Sequence, residues 1–220
     1  MTTTKPRPSA LQTARRIAWS TVALALVGLG GALVWQKLNP APLGPQQGQT
    51  ALARPAIGGP FALTDTQGRT VTHETLKGKP FAIFFGFTRC PDVCPTTLND
   101  LSMLHGQLGE EAEKLNIVFV SVDPEEDRPE DIGQYLTLFD APIIGLTGTE
   151  EQLQAVTRAY RVVYEKVPLD DGGDSYTIDH TATVFLMDAD GNFAGTIDMH
   201  EPRETGLEKL KRLVRSPAAS

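Results

Sequence analysis

An α/β fold is what the sequence predicts: a central mixed sheet flanked by helices, with one transmembrane helix ahead of it. Three observations carry the prediction. Two short apolar runs, Phe81–Phe85 and Ile117–Val122, have the character of strands buried on both faces. Between and after them, apolar residues recur at helical spacing. Ahead of both lies Ile17–Trp35, 19 residues without a charge.

Residues 1–16 form a polar tail with Pro6 and Pro8, closed by Arg15-Arg16. The segment 17–35, as a helix, would span about 28 Å, close to the thickness of a bilayer's hydrocarbon core. Trp19 and Trp35 sit near its ends, as interfacial aromatics do. The four cations before it (Lys5, Arg7, Arg15, Arg16) keep the N-terminus in the cytoplasm and send the rest across. A cleavable signal peptide would need a small-x-small site just downstream, where Trp35-Gln36-Lys37-Leu38 stands. Twin-arginine export through Arg15-Arg16 and a buried core helix compete with the anchor. Residues 36–60 hold prolines 40, 42, 45, 55 and 60 and read as a semi-extended linker.

The folded domain is expected over 61–215, with a short tail at 216–220. Phe61–Thr64 and Thr70–Thr72 flank Asp65-Thr66-Gln67-Gly68, a hairpin signal. After the first buried run, Leu98, Leu101, Leu104 and Leu108 mark a helix over about 95–108. Pro129 opens a second helix with Ile132, Tyr135, Leu136 and Phe139 on one face. Ile143–Leu146 reads as a short strand, Leu153, Val156 and Tyr160 as a helix from about 149, and Val162–Val167 as a further strand. Thr181–Met187 and Phe193–Asp198 pair through a turn containing Asp190-Gly191. A last helix covers about 203–215. The order βαβαβα, then a hairpin, then a helix calls for a parallel sheet core with an antiparallel edge, the layout of a thioredoxin-like fold.

The chain has 220 residues and a formal charge of −7. The first 37 residues hold five cations and no acid, so the rest carries 15 cations against 27 acids, a balance of −12. That field excludes nucleic acid as a partner. Two cysteines exclude a disulfide framework and leave a redox or metal site open.

Both cysteines lie in one loop, Thr88-Arg89-Cys90-Pro91-Asp92-Val93-Cys94-Pro95, after a buried strand and at the start of a helix. The positive helix end and Arg89 favour thiolate, the form needed for thiol exchange and for metal ligation, while Asp92 opposes them. Three residues separate the cysteines, one more than in C-x-x-C redox pairs. Two thiolates suit Cu(I), whereas a zinc site needs four ligands. A plain disulfide over so small a loop would stabilise little. Among four histidines, His73, His105 and His200 fall on surface or helix-flank positions. His180 stands where a loop enters the strand Ala182–Met187, at the place where thioredoxins pack a proline against their cysteines.

Three segments, FGFTRCPDVCP, VSVDPEEDRPE and DHTATVFLMDADG, closely resemble the Sco/SenC family of copper chaperones over about residues 55–215. The resemblance implies a thioredoxin-like domain tethered to a membrane, with copper as Cu(I) or Cu(II) held by Cys90, Cys94 and His180. It implies a role in assembling the CuA centre of cytochrome c oxidase subunit II, with an upstream periplasmic copper donor as a further partner. The expected location is the bacterial inner membrane with the domain in the periplasm, a mitochondrial inner membrane being the second choice. Asp179 either orients the histidine or is an ordinary loop acid. Asp123 is a candidate for partner docking at the sheet edge, and the other acids around it read as a solvated loop and helix start. Lys209, Lys211, Arg212 and Arg215 complement the last helix's dipole. Phe87 is placed to shield the cysteines. The competing function is a thiol–disulfide oxidoreductase with Cys90 and Cys94 as its redox pair. A peroxidase or redox sensor of peroxiredoxin type is disfavoured, because Phe87 and Pro91 stand where Thr or Ser would precede the cysteine by three.

Overall fold

A computed structural model describes residues 57–169, 175–198 and 200–216. The proposed anchor at 17–35, and nearly all of the linker, lie outside these residues. Among the described residues no helix is long and apolar enough to cross a membrane.

The elements run β1 (Ala62–Asp65), β2 (Thr70–Thr72), α1 (His73–Leu76), β3 (Phe81–Gly86), α2 (Val93–Gln107), a short 3-10 helix (Gly109–Lys114), β4 (Asn116–Ser121), α3 (Pro129–Leu136), β5 (Ile143–Thr147), α4 (Glu150–Tyr160), β6 (Tyr164–Pro168), β7 (Tyr176–His180), β8 (Thr183–Met187), β9 (Phe193–Asp198) and α5 (Arg203–Arg215). Seven strands form one sheet in the order β2-β1-β5-β4-β3-β8-β9. Its centre is parallel, β3 on β4 and β4 on β5, as crossover helices require. β8 and β9 add antiparallel strands at one side, and the β1–β2 hairpin adds them at the other.

The centre is set by burial. All six residues of β3 are buried, and so are five of the six in β4. Phe84 and Phe85 point to opposite faces, so both faces must be covered. Leu98, Leu101 and Leu104 of α2 are buried in the same core as Ile132, Leu153, Val156 and Leu210 of the other helices. Each such side chain contributes roughly 1.5–3 kcal/mol relative to exposure. Gly191 takes φ +82° in the β8–β9 turn, which the Asp-Gly pair signals in the sequence.

The structure departs from the sequence reading in several places, the short 3-10 helix Gly109–Lys114 among them. Helix α1 is one turn that the sequence leaves as loop; a Thr72–Thr75 capping box opens it. α3 ends at Leu136, so Phe139 lies beyond the helix and meets the Tyr135 ring edge-on at 5.3 Å. Gly58, read as linker, already donates its N–H to the Ala159 carbonyl at 2.9 Å. Strand β7 is an element the sequence reading lacks. His180 ends β7 instead of opening β8, and β6 and β7 form a ribbon outside the main sheet.

Candidate metal centre

The cysteine loop leaves β3 at Gly86 and enters α2 at Val93. Cys90 is half-buried in the loop, and Cys94 is fully buried in the first turn of α2. The Cys94 N–H, one of the unpaired donors of a helix start, donates to Cys90 Sγ at 3.4 Å. Both cysteines are free thiols. Gly86 is the floor of the site: a Cβ there would lie 2.7 Å from Cys94 Sγ and 3.1 Å from the Phe119 ring. Glycine is the residue that lets the sulfur approach this strand.

His180 reaches the sulfurs from the ribbon. Its Nε2 lies 3.3 Å from Cys94 Sγ. Its Nδ1 is 3.2 Å from the Thr181 carbonyl oxygen, which can only accept, so Nδ1–H donates there and Nε2 is the ring nitrogen that faces the cysteines. The edges of Phe84 and Phe87 meet the imidazole at centroid distances of 5.8 and 6.0 Å. Phe87 is buried, so it walls the site as expected. The ligand atoms of Cys90, Cys94 and His180 all lie within 4.8 Å of one another, the one such convergence of His, Cys, Asp or Glu groups among the described residues.

Electrostatics divide the two sulfurs. The Cys90 thiol is pulled down from 9.0 to about 3, first by a hydrogen bond from the Cys94 thiol, against the opposing effect of burial, then by a hydrogen bond with His180 and by the Cys94 and Asp92 N–H groups. Cys94 is pushed up by the same bond and by burial. The pair therefore holds one thiolate and one thiol near neutral pH. Arg89 plays a different part from the one its neighbourhood suggests. Its guanidinium is turned to Asp123 (3.3 Å) and Glu126 (3.5 Å) and lies over the Tyr176 ring at 4.9 Å.

Two carboxylates of the acidic run are buried beneath the loop: Asp127, read as solvated, and Asp123, read as a docking candidate at the sheet edge. Asp127 accepts from the Thr88 N–H at 2.8 Å, the Thr88 hydroxyl at 2.5 Å and the Ser121 hydroxyl at 2.6 Å. It thereby fixes the residue two before Cys90. Asp123 has no exposed surface, which removes it as a docking carboxylate. It accepts from the Tyr176 hydroxyl at 2.8 Å and pairs with Lys166 at 3.8 Å as well as with Arg89. Asp179 is exposed, and the imidazole takes its hydrogen bond from the Thr181 backbone instead.

The other histidines stand apart. His73 pairs with Glu74, His105 is buried against the Ala112 carbonyl, and His200 is exposed. Lys209 and Arg215 are engaged by Glu201 and Glu111 rather than serving the helix dipole alone. Sequence reasoning misses Gly86, Thr88, Asp127 and Tyr176. A glycine between phenylalanines in a strand is a signal of close approach, and Tyr176, Ile178 and His180 share a period of two. Nothing local distinguishes Asp127 from its acidic neighbours.

Two sulfurs and one imidazole nitrogen form a soft donor set that leaves room for exchange; it suits copper, and it can equally run thiol–disulfide chemistry before metal arrives. The SCO1/SenC family model matches residues 49–215. The chain belongs to the SCO1/SenC family. It is 37% identical to the mitochondrial protein SCO2 of Saccharomyces cerevisiae over 163 residues, which make up 73% of this chain and 54% of that one. It is 36% identical to the human mitochondrial SCO1 homolog over 183 residues, 80% of this chain and 60% of that one. The chain thus spans little more than half the length of these two relatives. The copper-bound structure of Bradyrhizobium japonicum ScoI is similar with a TM-score of 0.66 and 47% identity, covering 72% of this chain and 99% of the other. With that likeness, the central sheet and its flanking helices are a thioredoxin-like Sco fold.

Proposed function

We propose that this protein is a copper-delivery protein in which Cys90, Cys94 and His180 hold Cu(I) or Cu(II) as cargo. The observation that carries this reading is the convergence of the two Sγ atoms and Nε2 within 4.8 Å. Family membership and the copper-bound relative support it. Binding converts the Cys94 thiol to a second thiolate and releases its proton. Cu(I) is satisfied by the two sulfurs, and the imidazole adds the nitrogen donor that Cu(II) prefers. Delivery is ligand exchange: an incoming thiolate displaces one protein ligand at a time, beginning at half-buried Cys90.

The receiving partner in this reading is the CuA domain of cytochrome c oxidase subunit II, and a periplasmic donor supplies the copper. Segment 17–35 anchors the chain in the bacterial inner membrane, and the linker holds the domain in the periplasm. Sharing a membrane with the target raises the effective concentration for transfer.

The thiolate–thiol asymmetry of Cys90 and Cys94 favours a second reading, a reductase that prepares the partner's cysteines. One experiment separates them. Copper-loaded and copper-free reduced full-length chain, in detergent, are each mixed with reduced and with oxidised CuA domain. Delivery predicts growth of the CuA absorption with the loaded protein and reduced acceptor. If the copper-free protein merely reduces the oxidised acceptor and the loaded protein retains its metal, delivery is wrong.

A further inference from the structure

The ribbon that brings His180 to the cysteines is not part of the main sheet; β6 and β7 pair with each other. Tyr164, Lys166 and Pro168 share one face with Tyr176, Ile178 and His180, by the alternation of paired strands. Of these six, Ile178 alone is fully buried. Near its root the ribbon is held by the Tyr164 hydroxyl on Glu150 (3.1 Å) and by the aromatic edges on His180. Toward its tip, Tyr176 lies about 13 Å along β7 from His180. There the hold is polar. The Tyr176 hydroxyl donates to buried Asp123, Lys166 bridges Asp123 and Glu125, and Arg89 and Lys166 lie over the Tyr176 ring at 4.9 and 4.5 Å. The same carboxylate thus touches the residue beside Cys90 and the strand that ends in His180.

We infer that the Tyr176–Asp123 contact is a latch that holds His180 at the cysteines, and that it sets the affinity for Cu(II) separately from that for Cu(I). This rests on the copper-delivery reading. Asp123 and Tyr176 are positioning residues: neither touches the metal. The separation follows from donor preference. Cu(I) is content with the two thiolates of the cysteine loop, which Asp127 pins through Thr88 and which keeps its Arg89–Asp123 pair when the Tyr176 hydroxyl is gone. Cu(II) needs the imidazole nitrogen, and a ribbon free at its tip presents that nitrogen less often. A partner that opened the latch would convert a three-ligand site into a two-ligand one without touching the sulfurs.

Tyr176→Phe tests this, because it keeps the ring beneath Arg89 and Lys166 and removes only the hydroxyl. The reduced full-length chain, Tyr176→Phe and His180→Ala are titrated with Cu(II) and with Cu(I) against competing chelators. Amide exchange over 176–181 is followed in the metal-free proteins. The latch predicts that Tyr176→Phe loses about tenfold in Cu(II) affinity, stays within about threefold for Cu(I), and exchanges its 176–181 amides about tenfold faster. Wild-type affinities and exchange in Tyr176→Phe, with Cu(II) binding lost in His180→Ala, would overturn the latch and leave the copper site standing. Equal weakening of both ions in Tyr176→Phe would also overturn it, since that is general destabilisation. Unchanged Cu(II) binding in His180→Ala would remove the three-ligand reading and the latch with it.

Discussion

Cys90 and Cys94 sit at the end of a strand whose six residues are all buried, whereas His180 ends a two-stranded ribbon outside the main sheet. The cysteine loop is pinned by Asp127 through Thr88 and Ser121, and Gly86 gives Cys94 its place against the sheet. The ribbon is held by one fully buried side chain on its inner face, by aromatic edges and by ion pairs around Asp123. The sulfurs are therefore anchored to the buried centre of the main sheet, and the imidazole to a separate ribbon with fewer buried contacts, the kind of element expected to open first. In the copper-delivery reading the division is useful, because the soft ligands would stay fixed while the third opened.

Damage on the cysteine side should cost the fold. Asp127→Ala strips three donors, two of them on Thr88, of a buried acceptor, and should lower stability by about 3 kcal/mol, measured by urea unfolding. A loss well under 1 kcal/mol would mean that the loop does not depend on this carboxylate. Gly86→Ala comes next. Its Cβ would meet Cys94 Sγ at 2.7 Å, so either the sulfur or strand β3 must shift. The expected cost is about 2 kcal/mol, with weaker copper binding, read by thermal unfolding and metal competition.

A third prediction concerns charge rather than packing. The Cys90 thiol titrates near 3 in the folded chain, against 9.0 for an ordinary one. Between these values the unfolded chain carries a proton that the folded chain lacks. The stability contributed by Cys90 is thus full above the unfolded value, shrinks as pH falls, and is gone below the folded one. In the reduced metal-free protein, iodoacetamide should label Cys90 at a rate nearly flat from about pH 5 to 8, with Cys94 protected. In urea both rates should rise about tenfold per pH unit. A tenfold-per-unit rise at Cys90 in the folded protein would show that it is an ordinary thiol.

The smallest effect is expected where the ribbon leaves α4. Arg161 takes the left-handed conformation at φ +57°, and the Val162 N–H reaches back to the Thr157 carbonyl at 2.8 Å. Arg161→Gly relieves the strained backbone but adds freedom to the unfolded chain. The net gain should be at most about 1 kcal/mol, with copper affinity unchanged. A change in Cu(II) affinity there would move control of the ribbon from its tip to its root.

Much of this is legible in the residues. Apolar runs and helical periodicities give β3, β4 and the helices, because burial writes itself locally. The cysteine loop and His180 stand out by residue type and by position against predicted strands. Half of the ribbon, β6, is read as a strand, but β7 and the pairing are not, because the ribbon has a single buried residue, Ile178, on its inner face and its tip is held by charge pairs distant in sequence. Asp123 and Asp127 mislead for a related reason. An acid that folds inward to accept long-range hydrogen bonds has the same local sequence as one left in water. Arg89 stands next to Cys90, and adjacency alone suggests a role at the sulfur that its actual partners do not support.

The most direct test of the three-ligand site is a count of donor atoms. Copper K-edge X-ray absorption on the Cu(II)-loaded full-length chain should show two sulfurs together with the multiple-scattering signature of one imidazole. In His180→Ala that signature should vanish while both sulfurs remain. A wild-type spectrum with no imidazole, or one unchanged by the substitution, would contradict the site described above.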